Sequence, residues 1–173
     1  RLMIGWSGCP DATAKSPTVA RGWQCALTVP RELSMRDGKL CQQPVHEIER
    51  MRGDCVCATG GETVEEPGRL FDLVVSCEGA QVIELEIRKG VFVRYADGML
   101  TLDMGDEGYG RDQRSIELSE LRDLRVLSDT TMVEIFANGG EAALTSRTYS
   151  SAVPAMALHA EGAASMDFYR LAH

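Results

Sequence analysis

The sequence has few basic residues and no basic run. Its 173 residues include 18 Lys and Arg against 26 Asp and Glu, which gives a formal net charge of −8. Nucleic acids and anionic membranes attract clusters of Lys and Arg, so neither is predicted as a partner. No apolar stretch approaches the ~20 residues that a membrane-spanning helix needs. A length of 173 residues fits one domain, or one domain with an appendage.

The cysteines lack the spacing of a metal site. Cys55 and Cys57 form a C-x-C pair, which on an extended segment places both thiols on one face, but no C-x-x-C pair occurs. A structural zinc needs four ligands, and His46, His159 and His173 show no ligand spacing. We therefore expect no metal, no cofactor and free thiols in a reducing cytoplasm at all six positions: Cys9, Cys25, Cys41, Cys55, Cys57 and Cys77.

The chain opens on a strand-like segment rather than on a signal sequence. Arg1 directly precedes the apolar residues 2–4, without the charged and then apolar regions of a secretory leader. We therefore expect the chain to be part of a longer polypeptide and to reside in the cytoplasm.

Apolar and polar residues alternate through most of the chain after residue 70. In residues 81–88 three aliphatic side chains should face a core, while Glu84, Glu86 and Arg88 should face water. Turn signals such as Lys89-Gly90 and Asp97-Gly98 separate such segments. Strands at this spacing are typical of a β-sandwich, and they are predicted at residues 70–77, 81–88, 91–95, 99–104, 115–118 and 165–171.

Two other segments follow different patterns. In the first thirty residues, short strands at 2–6 and 23–29 flank a long loop and would bury little surface by themselves. Residues 44–52 carry a helix signal, because Pro44 precedes apolar residues on roughly one helical face. This second segment equally suits an extended stretch followed by one turn, and the pattern favours neither.

Residues 124–149 form the most informative stretch of the chain. Strands are predicted at 124–127, 132–137 and 142–145, and Asn138-Gly139 stands between the last two. Asn-Gly is a strong hairpin signal, because a type I′ turn needs positive φ at both central residues. The stretch should therefore be a three-stranded meander.

The same stretch resembles a segment of the C-terminal domain of glycoside hydrolase family 32, which contains the invertases and sucrose-6-phosphate hydrolases. Two earlier parts of the chain resemble the family in the same order. The first comprises Gly5-Trp6 with Pro10-Asp11, Gly22-Trp23 and residues 26–33, and it is similar to the join between the family's two domains. The second comprises residues 36–45 and 47–52 and is similar to the opening of the C-terminal domain.

The resemblance implies an all-β protein with two domains. Residues 1–28 would be the end of a five-bladed catalytic β-propeller and its linker, and residues 29–173 an antiparallel two-sheet β-sandwich of the jelly-roll or lectin-like kind. The implied partner is the N-terminal propeller of the same polypeptide, and a homodimer is a further expectation. The parent enzyme would be a retaining β-fructofuranosidase that acts on β-fructosides such as sucrose or sucrose-6-phosphate.

The family's three catalytic carboxylate motifs do not occur in this sequence. Arg36-Asp37 is followed by Gly38 rather than Pro, and Asp54-Cys55 is an Asp-Cys pair rather than Glu-Cys. We therefore expect no catalytic residue in this chain and no activity from the chain alone. Trp6 is the one substrate-binding candidate that the resemblance implies, as an aromatic wall of the sugar pocket; packing within the last blade is the alternative.

Other groups of polar residues have simpler explanations. Glu84 and Glu86 share a strand face and are predicted to be solvated, although a glycosidase pair also needs two carboxylates. Glu134 interrupts an apolar strand, and we expect an ion pair with Arg125 or Arg147 across the meander. The histidines suggest no Ser-His-Asp triad, and residues 105–110 are read as a connecting loop rather than a phosphate site.

Two roles for the sandwich remain open at this point. It would either buttress a propeller without taking part in catalysis, or act independently as a lectin-like carbohydrate-binding or dimerisation module. A sugar-binding face needs exposed aromatic side chains, and aromatic residues make up only 6% of the chain. The composition therefore favours the buttressing role.

Overall fold

The computed structural model describes residues 1–8, 16–59, 61–77 and 79–172. Within these ranges the chain is almost entirely β, with strands β1 (Leu2–Met3), β2 (Trp6–Ser7), β3 (Ala26–Leu27), β4 (Arg31–Arg36), β5 (Lys39–Pro44), β6 (Arg52–Thr59), β7 (Thr63–Glu65), β8 (Phe71–Ser76), β9 (Val82–Arg88), β10 (Val91–Ala96), β11 (Met99–Asp103), β12 (Gln113–Glu117), β13 (Asp123–Ser128), β14 (Met132–Ala137), β15 (Ala142–Arg147), β16 (Ala155–Glu161) and β17 (Ser165–Leu171). The described 3₁₀ helices are Pro17–Arg21, His46–Met51, Gly105–Gly108 and Asn138–Gly140. None of the described helices is long and apolar enough to cross a membrane.

Some residues named in the sequence analysis lie outside the described ranges. They are Cys9, Pro10, Asp11 and His173. The loop predicted at 7–22 falls partly there, and its last part contains the 3₁₀ helix Pro17–Arg21.

Two six-stranded antiparallel sheets enclose the core. One has the strand order β12-β11-β10-β9-β16-β7 and the other β15-β14-β13-β8-β17-β6. Their inward side chains form one apolar cluster, to which Leu85 and Val93 contribute from the first sheet and Leu73 and Val126 from the second. The predicted β-sandwich is confirmed, and so is the meander, because β13, β14 and β15 are consecutive neighbours.

The alternation predicted for residues 81–88 is confirmed except at its end. Ile83, Leu85 and Ile87 are buried, but Arg88, which was predicted to face water, is fully buried as well. The register between β9 and β10 shifts at Val91/Phe92, next to the turn that follows Arg88. Arg88 is thus freed from strict alternation at the strand end, and its guanidinium reaches the end of β13 in the opposite sheet.

The predicted turns lie at the expected positions in the chain. Asp97-Gly98 is a two-residue connection with φ of 51° and 72°, as a type I′ turn requires. Asn138 and Gly139 also have positive φ, of 53° and 61°, but Ala137 pairs with Ala142 across a loop of four residues. The Asn-Gly signal therefore located the turn correctly, and the loop is longer than a simple I′ hairpin.

The first segment of the chain forms two small sheets apart from the sandwich. β1 pairs with β4 in a three-stranded sheet of order β1-β4-β5, and β2 pairs with β3. The strands predicted at 2–6 and 23–29 are therefore present but shorter and, in the first case, split in two. Strands β4, β5, β6, β7 and β16 were not predicted. The segment 44–52 contains the 3₁₀ helix His46–Met51. Of its two alternatives, the short helix is therefore the one that the structure shows.

Candidate functional site

Trp6 lies on the small two-stranded sheet near the beginning of the chain. It pairs with Leu27 across β2 and β3, and its side chain is 58% exposed. A Cβ atom added at Gly8 would collide with the indole ring, so one part of that ring lies directly against the Gly8 backbone. The rest of the ring is open to solvent and available to another surface.

Trp6 belongs to a wider apolar surface, which we call the first-segment surface. Its members are Leu2, Ile4, Trp6 and Leu27, exposed by 71%, 56%, 58% and 63%. Every second residue of an extended segment points to the same side, and Leu27 stands opposite Trp6 in the register. Exposed apolar residues grouped in this way mark interaction surfaces rather than solvent-facing ones.

A buried ion pair attaches the start of strand β4 to the sandwich. Arg31 Nη2 donates to Glu134 Oε2 at 2.5 Å, and the Val29 N–H donates to Glu134 Oε1 at 2.7 Å. The same guanidinium also donates to Thr145 Oγ1 at 2.6 Å. An ion pair was predicted for Glu134, but Arg125 and Arg147 were the wrong partners.

Burial governs the ionisation of this carboxylate. Loss of hydration raises the pKa of Glu134 above its ordinary value, although the Val29 N–H and the Arg31 guanidinium both act to lower it. The desolvation cost therefore outweighs what the two donors recover. The contact fixes the position of Val29 and Arg31 against β14 rather than adding much net stability.

The two arginines first considered for Glu134 have other partners. Arg147 donates from Nε to the Thr131 carbonyl and from Nη1 to the Gln24 carbonyl, both at 3.0 Å, and its guanidinium carbon lies 5.3 Å from the Trp23 ring centroid. Arg147 therefore provides a second attachment of the first segment to the sandwich.

Arg125 joins a different polar network on the outer side of the second sheet. Its Nε and Nη2 atoms donate to the two carboxylate oxygens of Asp72 at 3.0 and 2.7 Å. Arg52 Nε donates to the same carboxylate at 2.7 Å. Asp72 is fully buried, and two cations compensate its charge.

The Asn138 turn supports the hairpin formed by β4 and β5. Arg36 Nη2 donates to the carbonyl oxygens of Asn138 and Gly139 at 2.7 and 2.8 Å. A Cβ atom at Gly140, which has a φ of 88°, would collide with the backbone of Gln42. The turn and the hairpin are therefore in close contact, and the consecutive glycines were the sequence signal for that approach.

A cavity of about 250 Å³ lies beside the contact between Val29 and Glu134. Its wall is mostly aliphatic and contains Val29, Ile48, Met51, Leu127 and Leu171, with Glu134 also at its edge. Aliphatic walls suit a hydrophobic side chain better than a sugar, which is usually bound by aromatic faces and polar groups.

The remaining sequence candidates do not converge on a site in the described structure. Glu84 accepts a hydrogen bond from Arg94 at 2.6 Å, and Glu86 accepts one from the Gly90 N–H at 2.9 Å. Both glutamates are only partly buried, as predicted for a solvent-facing strand surface. His159 pairs with Glu84 on the neighbouring strand, and His46 is mostly exposed. Residues 105–110 form a connection that begins with a 3₁₀ helix.

The C-x-C pair acquires a neighbour that the sequence did not reveal. Cys55 Sγ and Cys57 Sγ are 3.0 Å apart on one face of β6, and Asp167 of β17 stands opposite Cys57. The five described cysteines are all free thiols. The shared face was predicted, whereas the carboxylate is brought there only by the sheet.

Comparison with known proteins gives matches along most of the chain. Residues 1–44 match the family model described as glycosyl hydrolases family 32 N-terminal domain, and residues 92–171 match the one described as glycosyl hydrolases family 32 C terminal. The N-terminal domain model thus matches the earlier residues of the chain, and the C-terminal model matches the later ones.

Curated relatives and solved structures agree with these matches. The chain is 35% identical to a raffinose invertase from Escherichia coli, with 88% of this chain and 34% of the relative covered, and 31% identical to a sucrose-6-phosphate hydrolase from Salmonella typhimurium, with 86% and 32% covered. The structure of a sucrose-6-phosphate hydrolase from Lactobacillus gasseri matches with a TM-score of 0.85 and 22% identity, covering 99% of this chain and 38% of that one. The chain thus spans about a third of the length of the curated relatives it matches.

Proposed function

Because the chain belongs to glycoside hydrolase family 32, we propose that it supplies the end of the catalytic propeller and the C-terminal sandwich of an enzyme that hydrolyses β-fructosides such as sucrose or sucrose-6-phosphate. The observation that carries the proposal is the pair of family matches, in chain order, to the two domains. The named relatives, an invertase and a sucrose-6-phosphate hydrolase, support the substrate class. The sandwich itself has the non-catalytic role of buttressing the propeller.

The first-segment surface supports this division of labour. Its apolar residues Leu2, Ile4, Trp6 and Leu27 are largely exposed in the chain by itself, and the remainder of a propeller would cover them. A homodimer is a second way to cover apolar surface, and we propose it as an additional contact of the whole enzyme. Sedimentation of the whole enzyme measures that oligomeric state.

We propose that the boundary between the two domains follows residue 28. Val29 supports this position, because its N–H is the first backbone group along the chain to bond the buried Glu134 carboxylate. The hairpin of β4 and β5 lies beyond this boundary and outside both large sheets, and Arg31 and Arg36 fasten it to the sandwich. Strand β4 also pairs with β1 across the boundary.

We also propose a cytoplasmic location for the enzyme. The free thiols of the described cysteines support it, because three of them, Cys25, Cys55 and Cys57, are exposed and would be prone to oxidation in a secreted protein. Fractionation of the source cells, followed by an activity assay of each fraction, tests the proposal.

The purified chain is expected to release no glucose from sucrose and no glucose-6-phosphate from its 6-phosphate, because the family's carboxylate motifs are missing. The polypeptide extended upstream of Arg1 to include the whole propeller should hydrolyse at least one of them. A coupled glucose assay on both proteins and on a mock preparation makes the comparison. Turnover by the chain alone, or none by the extended protein on any β-fructoside, would contradict the proposed function.

Trp6 is proposed to contribute an aromatic wall to the sugar pocket of the whole enzyme. In the extended protein, Trp6→Ala should lower kcat/KM for sucrose about tenfold, which corresponds to about 1.4 kcal/mol of transition-state stabilisation. Trp6→Phe should keep most of the activity, since it keeps an aromatic face. Trp23→Ala is the matched control, because Trp23 packs on Arg147 instead. Equal kcat/KM values for Trp6→Ala and Trp23→Ala would show that Trp6 packs within the protein and does not bind the sugar.

A further inference from the structure

Two strands at the edge of the second sheet bring four polar side chains onto one face. Cys55 and Cys57 lie on β6, the edge strand, and Asp167 and Tyr169 lie on the adjacent β17. In the antiparallel register Cys57 stands opposite Asp167, and Cys55 opposite Tyr169. Both cysteines and Asp167 are exposed, so a solute can reach their side chains directly.

The distances between these groups are close to those in a tetrahedral metal site. The two sulfur atoms and a carboxylate oxygen of Asp167 all lie within 4.8 Å of one another. With zinc–sulfur bonds of about 2.3 Å and zinc–oxygen bonds of about 2.0 Å, tetrahedral geometry separates two sulfurs by about 3.8 Å and a sulfur from an oxygen by about 3.5 Å. The thiols are now 3.0 Å apart, so small side-chain rotations would provide the required spacing.

We propose that Cys55, Cys57 and Asp167 form a surface site for a thiophilic divalent cation such as Zn²⁺, with water completing the coordination. The two thiolates and the carboxylate are the ligand types that zinc prefers, and a site with three protein ligands leaves one position open. The sequence alone offered only the two cysteines, because Asp167 is more than a hundred positions away. The ligands are exposed, so folding of the sandwich does not depend on the ion.

Titration of the reduced chain with Co²⁺ and with Zn²⁺ tests the site. Co²⁺ should produce a sulfur-to-cobalt charge-transfer band in the near ultraviolet that saturates at one ion per chain, and Zn²⁺ should abolish that band. Because metal ions compete with protons for the thiolates, the affinity should rise between about pH 6 and pH 8. The measurement does not involve hydrolysis, so it stands or falls separately from the proposed function.

Variants assign the ligands. Cys55→Ser and Cys57→Ser should each weaken Zn²⁺ binding more than tenfold, and Asp167→Asn by about tenfold. Cys25→Ser is the matched control, since Cys25 is an exposed thiol outside the cluster. Far-ultraviolet circular dichroism should show the same fold for all four variants. Absence of the charge-transfer band in the unmodified chain, or an unchanged band in a Cys55→Ser/Cys57→Ser double variant, would overturn the proposal.

Discussion

Glu134→Leu is expected to lower the free energy of unfolding by roughly 3–5 kcal/mol, the usual cost of removing one partner from a buried ion pair. The replacement would leave the Arg31 guanidinium, only 6% exposed, without its carboxylate, and the Val29 N–H without its acceptor. Urea denaturation followed by circular dichroism measures the change. A chain that starts at Val29 keeps the ion pair and should also unfold cooperatively, which tests the proposed domain boundary.

A double variant measures the net contribution of the whole ion pair to stability. Since burial raises the pKa of Glu134 despite its two donors, the pair does not recover its full desolvation cost. The double variant Arg31→Met/Glu134→Leu should therefore regain most of the loss. Glu117→Leu, on the exposed strand β12, is the matched control and should change stability by no more than about 0.5 kcal/mol. A Glu134→Leu variant as stable as this control would contradict the expectation.

The raised pKa also sets the direction of a pH effect. A carboxyl group whose pKa is raised by folding contributes most to stability when the pH is below its ordinary value of 4.5. That contribution is lost as the pH rises through the raised value. The difference in unfolding free energy between the unmodified chain and Glu134→Gln should therefore fall from about pH 4 to neutral pH.

Arg88→Met is expected to lower the free energy of unfolding by about 2–4 kcal/mol. Arg88 is fully buried and donates to Ser128 Oγ at 2.7 and 3.0 Å, to the Thr130 carbonyl at 3.1 Å and to the Arg69 carbonyl at 3.2 Å. Methionine fills similar space but donates nothing, so buried acceptors lose their partners at about 1–3 kcal/mol each. Urea denaturation again measures the loss.

Arg88 remains a cation at neutral pH, although burial lowers its pKa to about 10. Its charge is therefore stabilised by the Ser128 hydroxyl and two backbone carbonyls, and this connects the end of β9 to the other sheet. A double-mutant cycle of Arg88→Met with Ser128→Ala should give a coupling energy of about 1 kcal/mol or more. Arg114→Met is the control, because Arg114 is exposed and, within the described ranges, its hydrogen bond is to the neighbouring Gln113 carbonyl. Equal stability of the Arg88 and Arg114 variants would show that this connection has no energetic role.

Local patterns in the sequence predicted the sandwich because its central strands bury one face each. Alternation has a period of two, so the inward positions Ile83, Leu85 and Ile87 could be read directly. Positive φ at Asp97 and Asn138 followed from the turn residues beside them. Strands β6 and β16 were not predicted from the sequence. Strand β6 is mostly exposed, and β16 alternates Met156 and Leu158 with small residues, which gives little contrast in hydrophobicity.

The sequence by itself thus determined the fold class, the family resemblance and the place of the turns, since each depends on residues close together in the chain. Only the tertiary structure decided which charged groups meet. Glu134 pairs with Arg31 across 103 positions rather than with Arg125 or Arg147 on its neighbouring strands, and Asp167 reaches Cys57 through strand pairing. Arg88 is buried for the same kind of reason, because its acceptors are Ser128 at the end of β13 in the opposite sheet and the Thr130 and Arg69 carbonyls in the connections beside that sheet. Such contacts depend on how distant segments pack, and no spacing along the chain specifies that packing.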